Sequence, residues 1–168
     1  MVLAALALAP VACGSGATKL QGRTADVTLD TSGFTKEQGP QSLGGAYERL
    51  AQYAQPGAKG LRFSVLVDSP PGGFDASKLK AQVLNGYKAR YAGQTPTVTD
   101  SQTPPGFTVE WTETLAAGPK QWNHYFETLQ GGRWLEVHFS ALDPAPGDIA
   151  ALRAKAQHVL ARLQFTPK

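Results

Sequence analysis

Three long stretches of alternating apolar side chains, separated by tight-turn sequences, constrain this chain more than any other feature. They cover residues 107–115, 121–129 and 133–141, and short connections at 116–119 and 130–132 join them. Connections this short join antiparallel neighbours, because a parallel crossover needs a dozen or more residues. The sequence therefore predicts an antiparallel meander of three strands.

The turn residues set the register of this meander and separate its two faces. With Gly131 and Gly132 at the centre of one turn, Phe126 lies opposite Val137, and a turn at Gly118-Pro119 places Trp111 opposite Phe126. One face then collects the predicted core: Val109, Trp111, Leu115, Trp122, Phe126, Leu135, Val137 and Phe139. The other face collects Glu110, Thr112, Asn123, Tyr125, Glu127, Trp134, Glu136 and His138.

The second face supplies the candidate binding residues: Tyr125, Trp134, Glu136 and His138. Tyr125 and His138 are expected to be cross-strand neighbours, and Glu127 lies opposite Glu136, which is mildly unfavourable. Aromatic side chains often anchor protein interfaces, so this face is a hypothetical contact surface. The alternative is an ordinary solvated sheet face with aromatic cross-strand pairs.

The remaining elements predict the fold class. Strand patterns lie at 26–30 and 61–67, and a short β-rich stretch lies at 95–99. Residues 47–53 fit either a helix or a strand, and the turn sequence Gln55-Pro56-Gly57 after them favours a strand. Side chains at helical spacing, among them Leu79, Val83, Tyr87 and Tyr91, predict one helix. Ile149 to Leu163 predict a second amphipathic helix. This order favours an α+β fold, with an antiparallel sheet of about six to seven strands packed by two amphipathic helices.

The N-terminal segment has the composition of an export signal. Val2 to Ala12 are uncharged and apolar, and eleven residues are too short to cross a bilayer as a helix. Residues 1–13 are thus predicted to be a signal peptide ending at Cys13. Residues 14–24 are polar and glycine-rich and are expected to form a flexible tether, so a single α+β domain should cover 25–168.

Val11-Ala12-Cys13 resembles the end of a bacterial lipobox, in which a small residue precedes a cysteine that becomes lipidated. Pro10 stands where leucine is usual, and no Lys or Arg precedes the apolar run. The resemblance implies palmitate-type acylation of Cys13 and a lipid-anchored protein of the cell envelope. In a Gram-negative cell it implies the periplasmic side of the outer membrane. Cleavage elsewhere without a lipid, or an unprocessed buried helix, remain alternatives.

A second resemblance concerns residues 25–168. The Gly106-Phe107…Trp111 strand, the hairpin through Trp122 and Trp134, and the closing Leu163-Gln164-Phe165 resemble the PsbP-like fold, which bacterial DcrB-like lipoproteins share. The resemblance implies a PsbP-like sandwich and an accessory or envelope role. It offers no positions onto which functional residues could be transferred.

No pattern in the sequence predicts catalysis, a cofactor or nucleic-acid binding. The net charge is only +3, and the basic residues occur without a cluster of the kind that binds nucleic acid. His124 and His138 are expected on opposite faces, which disfavours a shared metal site. Glu113 beside His124 is a conceivable acid–base pair, although a structural hydrogen bond is the more common arrangement.

These observations favour a non-enzymatic, monomeric envelope lipoprotein that binds a protein partner or stabilises a complex. One alternative is a small-molecule or lipid carrier with a cleft between sheet and helices. Another is an immunity or secretion-accessory protein. A cavity lined by Trp111 and Trp122 would favour the carrier, whereas a filled core would favour the binding module.

Overall fold

The computed structural model describes residues 16–57, 60–72, 74–90, 95–116 and 118–168. The predicted signal peptide and Cys13 lie outside the described residues, as does Tyr91 of the first predicted helix. Within the described part of the chain, no helix has the length and apolar character needed to span a membrane.

Strands dominate the described part of the chain, and two helices interrupt them. The first half contains β1 (Ala17–Gln21), β2 (Ala25–Asp30), β3 (Thr35–Gln38), β4 (Gln41–Gly44), β5 (Tyr47–Ala54), β6 (Arg62–Asp68) and α1 (Ala76–Arg90). The second half contains β7 (Thr97–Gln102), β8 (Pro105–Thr114), β9 (Lys120–Gln130), β10 (Arg133–Leu142), α2 (Ile149–Leu160) and β11 (Gln164–Pro167).

The main sheet has eight strands in the order β3-β5-β6-β10-β9-β8-β7, with β4 also paired to β5. Its strand pairs are antiparallel. The predicted α+β class, the meander and the two helices are therefore confirmed. The short strands β3 and β4 were not predicted, because their side chains are exposed and show no apolar alternation.

The β9–β10 hairpin has the predicted register. Gln130 pairs with Arg133, and Phe126 lies opposite Val137. Gly131 and Gly132 have φ of 55° and 71°, the left-handed conformation that a two-residue hairpin turn requires and that glycine adopts without strain. The turn chemistry thus fixes which side chains of both strands share a face.

The predicted register of β8 is wrong, and the error inverts this strand. Thr108, not Trp111, lies opposite Phe126, and Trp111 pairs with Asn123. The connection is longer than the two-residue turn assumed: the Leu115 amide donates to the Pro119 carbonyl, which leaves three residues between them. A shift of an odd number of residues exchanges the two faces of a strand. Val109 and Trp111 therefore lie on the face opposite Phe126.

The two helices cover opposite faces of the main sheet. α2 packs Leu152, Ala156 and Val159 onto the core that contains Trp122 and Phe139. α1 crosses the other face, since it leads from β6 to the edge strand β7. The α1 side has a second, smaller core, which contains Leu79, Val83, Phe107, Val109 and Trp111.

A second sheet, of order β1-β2-β11, includes one segment predicted to be a tether and one predicted to be the end of a helix. Residues 17–21 were expected in a flexible tether, but they form β1, which pairs with β2 and buries Leu20. The stretch 163–165 was assigned to the end of the last helix, but α2 ends at Leu160 and β11 follows. Backbone pairing with β2 explains both corrections, because hydrogen bonding to a neighbour stabilises short polar strands.

Candidate functional site

The four predicted binding residues share one face of the β9–β10 hairpin, on the side that α1 covers. Tyr125 pairs with His138 across the strands. On the same face towards the turn, Glu136 lies opposite Glu127, and Trp134 follows opposite Leu129. Tyr125, Trp134, Glu136 and His138 are each partly buried. The structure therefore brings the predicted residues together, but it does not leave them on an open sheet surface.

The aromatic rings on this face form a stack. Tyr125 lies between Trp111, at a ring-centroid distance of 5.0 Å, and His138, at 4.0 Å, with its ring nearly parallel to both. Tyr87 of α1 contacts Trp111 at 4.5 Å and Tyr125 at 5.5 Å. Both faces of the Tyr125 ring are covered, so this side chain contributes mainly to packing between α1 and the sheet.

His138 is held as a neutral side chain within this stack. Its Nε2 lies 3.0 Å from Oδ1 of Asn123, whose amide nitrogen donates to Glu113 at 3.0 Å. Burial lowers the pKa of His138 to about 4, and the charge of His124 acts in the same direction. An amide oxygen only accepts hydrogen bonds, so Nε2 carries the proton of the neutral ring.

Beside the stack, a cleft opens between α1 and the sheet. It has a volume of about 450 Å³. Its lining consists of aromatic, carboxylic and small side chains: Tyr47, Gln82, Val83, Gly86, Tyr87, Tyr125, Glu127, Trp134 and Glu136. We call it the α1 cleft. Three of the four predicted residues line it, and His138 does not.

Glu127 is the most unusual residue of the α1 cleft. It has no solvent exposure (0 %) and lies directly opposite Glu136. The Trp134 indole donates a hydrogen bond to its Oε2, while Oε1 has no hydrogen-bond partner among the described residues. Burial and the nearby charge of Glu136 raise the pKa of Glu127 well above its ordinary value. Sequence reasoning noted this pair but missed its burial, because the position of α1 was not predictable.

Tyr47, from β5, adds a phenol to the same cleft. Burial and the charges of Glu136, Glu127 and Asp68 all raise the pKa of its hydroxyl. The hydroxyl therefore remains protonated and able to donate a hydrogen bond. No pattern in the sequence distinguished Tyr47 from an ordinary strand residue.

A second and larger cleft, of about 690 Å³, lies on the opposite side of the sheet beside α2. Its carboxylate, Glu110, is fully engaged: Arg153 donates to both oxygens, at 2.6 and 3.0 Å, and His124 Nδ1 lies 3.0 Å away. Burial acts to raise the pKa of Glu110, but the hydrogen bonds from His124 and Arg153 lower it to about 2.

The conceivable pair of Glu113 with His124 is wrong, because the shifted register of β8 places Glu110 opposite His124 instead. Glu113 accepts a hydrogen bond from Asn123 on the other face. His124 and His138 do lie on opposite faces, as expected. Among the described residues, no three His, Cys, Asp or Glu side chains are grouped as a metal site would require.

Comparisons with known proteins reveal similarity of structure only. No family model matches the sequence, and no curated protein matches it. The solution structure of cyanobacterial PsbP (CyanoP) from Synechocystis sp. PCC 6803 superposes with a TM-score of 0.56 at 9% identity, covering 95% of this chain and 98% of that one.

A second solved structure is LpqN, involved in cell envelope biogenesis of Mycobacterium tuberculosis. It superposes with a TM-score of 0.56 at 14% identity, covering 90% of this chain and 91% of that one. Both matches extend over nearly the whole of each chain, and at these identities they establish the fold alone. The chain therefore has a PsbP-like fold.

Proposed function

We propose that this chain is a non-enzymatic module of the cell envelope, which binds a protein partner through the α1 cleft and is anchored by a lipid on Cys13. The observation that carries the proposal is the convergence of Tyr125, Trp134 and Glu136 on one cleft beside α1. A partly buried tryptophan next to a cleft has the character of an interface anchor. The structural similarity to LpqN supports the envelope setting.

The positions of Trp111 and Trp122, in filled cores, favour a binding module over a carrier. Trp122 is 0 % exposed and packs in the core beneath α2, and Trp111 is 6 % exposed and packs beneath α1. Neither lines the α1 cleft or the larger cleft beside α2. A carrier with an apolar cavity around these two side chains is therefore disfavoured.

Site-specific photo-crosslinking in native envelopes tests the partner-binding role. We expect p-benzoylphenylalanine in place of Gln82, an exposed residue of the α1 cleft, to yield one dominant adduct. The same probe in place of Ala154, exposed on α2, is the matched control. The adduct should disappear when Trp134→Ala is added. Equal adducts at both positions, or none at position 82, would contradict the proposal.

The lipid anchor has its own test. Metabolic labelling with palmitate should mark the wild-type chain and leave Cys13→Ser unlabelled, with the variant released from the membrane fraction. An unlabelled wild-type chain would remove the anchor and leave partner binding to be judged by the crosslinks alone.

A small-molecule carrier remains a second candidate, favoured by one observation. The larger cleft beside α2 has a volume within the range of small-molecule sites. Native mass spectrometry of the purified chain tests this role. A carrier would retain a bound ligand of defined mass, which Gln157→Trp, at an exposed position of α2 that lines the cleft, should displace by filling it. A single apo mass for the wild-type chain would reject it.

A further inference from the structure

Two carboxyl groups lie side by side in the α1 cleft. Glu127 of β9 and Glu136 of β10 are directly opposite each other, and like charges at such positions destabilise a sheet. Glu127 is also fully buried, where an ionised carboxylate without a cation is expensive. A hydrophobic or amide side chain would pack here with a smaller loss of stability, so stability does not explain why two carboxyl groups occupy these positions.

The surrounding elements supply hydrogen-bond donors to this pair but no compensating charge to Glu127. Trp134 donates to Glu127, while Tyr47 from β5 lies beside both carboxyl groups. α1 contributes Gln82 and Tyr87 to the cleft. Lys80 of α1 lies in the adjoining cleft, but its ammonium pairs with Asp100 at 2.5 Å. Among the described residues, none forms an ion pair with Glu127.

On the opposite face of the same sheet, a partly buried carboxylate receives a cation from the chain itself. Glu110 has Arg153 across both oxygens and His124 beside one of them. Glu127 has one indole donor and an Oε1 without a hydrogen-bond partner among the described residues. Glu127 therefore lacks the guanidinium partner that Glu110 has.

We propose that the α1 cleft binds the ammonium group of a lysine side chain carried by the partner protein, with Glu127 and Glu136 as its carboxylate ligands. An ammonium is a compact charge with three donors, which suits two converging carboxyl groups. The aliphatic stem of lysine can lie along apolar surface, here the walls formed by Tyr87, Trp134 and Val83. This inference rests on the proposed partner-binding function and names its chemistry.

Binding of the ammonium is coupled to release of one proton. Burial and the charge of Glu136 favour the protonated form of Glu127 in the free protein, and the arriving cation favours its ionised form, so the carboxyl proton passes to solvent as the ion pair forms. The lysine brings its own charge and keeps its three hydrogens. Affinity therefore increases with pH, by up to about tenfold per unit below the raised pKa of Glu127.

Titration of the full chain with Nα-acetyl-lysine methylamide, followed by NMR, tests the proposal. The matched control probe is the same molecule acetylated on Nε, which lacks the charge. We expect saturable shifts at Trp134 and Tyr47 with the charged probe only, with affinity increasing as the pH rises towards the raised pKa of Glu127. Equal shifts with both probes, or none with the charged probe, would overturn the proposal.

Substitutions then locate the site. Glu127→Gln keeps the acceptor for Trp134 but removes the charge. It should lower the affinity for the charged probe about tenfold or more and abolish the pH dependence of binding. Glu136→Gln should weaken it as well. Glu37→Gln, at an exposed position on β3, should leave binding unchanged. An unaltered titration of Glu127→Gln would show that the cation binds elsewhere.

The crosslinking experiment separates failure of this inference from failure of the proposed function. A Gln82 adduct that persists in Glu127→Gln, together with no binding of the charged probe, would leave a partner at the cleft and reject lysine as its recognised group. Loss of the adduct in Glu127→Gln but not in Glu37→Gln supports the inference in the intact envelope.

Discussion

The two faces of the main sheet differ in whether the chain supplies a cation to the carboxylate that lies there. On the α2 side, Glu110 is compensated by Arg153 and His124, and the neighbouring core contains large, fully buried rings such as Trp122 and Phe139. On the α1 side, Glu127 is buried against another carboxylate. Side chains that stabilise the fold thus dominate the α2 side. The α1 side contains a pair of carboxyl groups that stability alone does not favour.

This difference indicates where the chain can accept a partner. A compensated carboxylate is part of the folded structure, and removing its cation leaves a buried charge. An uncompensated one costs stability until a cation reaches it. Sites that lower stability are commonly functional sites, since packing alone would not retain them.

We expect the largest loss of stability from a cavity created in the core on the α2 side. Phe139→Ala removes a fully buried ring that packs 5.5 Å from Phe63, and should lower the free energy of unfolding by about 3–5 kcal/mol. Urea denaturation followed by tryptophan fluorescence measures this loss. A cost below about 1 kcal/mol would mean that this core is much looser than its burial implies.

Glu127→Gln should reveal the opposite behaviour on the α1 side. The folded-state pKa of Glu127 is raised, so its contribution is fully present below the unfolded pKa and is lost as the pH rises through the folded pKa. The stability difference between variant and wild type should grow in favour of the variant by up to about 1.4 kcal/mol per pH unit in that window. Thermal unfolding over a pH series measures it, and parallel curves would refute the raised pKa.

Arg153→Ala should damage the compensated carboxylate moderately. We expect a loss of about 1–2 kcal/mol near neutral pH, below the 3–5 kcal/mol of a fully buried pair, because the Arg153 side chain is 44% exposed. The pKa of Glu110 is depressed to about 2, so its contribution is present above the unfolded pKa and lost as the pH falls. In the variant this acid loss should be smaller, so the stability difference between wild type and variant should shrink as the pH falls from about 5 to about 2, which denaturation midpoints over that range would show.

Trp134→Phe should have the smallest effect. It keeps most of the ring packing but removes the indole donor to Glu127, at a cost of about 1 kcal/mol. Losing this donor also raises the pKa of Glu127 further, since the hydrogen bond favours the ionised form. Double-mutant analysis with Glu127→Leu, which removes the acceptor, would show coupling of the two changes, and additive costs would contradict the hydrogen bond.

The parts of the fold that sequence could predict are those with local signals. Gly131-Gly132 fixed the β9–β10 register, and that register placed Tyr125, Trp134, Glu136 and His138 on one face. The β8–β9 connection has no such two-residue turn. The predicted register of β8 was therefore wrong by an odd number of residues, and Trp111 was assigned to the wrong core. β11 is stabilised by pairing with β2, which is distant in the sequence and is not signalled by the residues of β11. β1 forms a local hairpin with β2, but its mostly polar residues show no clear apolar alternation.

The candidate site was predictable only in part for a similar reason. The apolar stripe of α1 shows that Leu79 and Val83 must be buried, but not which face of the sheet they cover. Without that knowledge Glu127 could be recognised as part of an unfavourable pair, but not as a buried acid. The lining residue Tyr47 comes from a strand whose position in the sheet depends on β6 and β10.

The pairing of β1 with β2 has a consequence for how the domain would stand on a membrane. With residues 17–21 folded, only Gly14 to Gly16 separate Cys13 from the sheet, a reach of about 10 Å, where the expected eleven-residue tether would allow about 38 Å. Ten ångströms is close to one Debye length at physiological salt. An acylated Cys13 would therefore bring Lys19 and Arg23 within the field of anionic headgroups, which would bias the orientation of the whole domain.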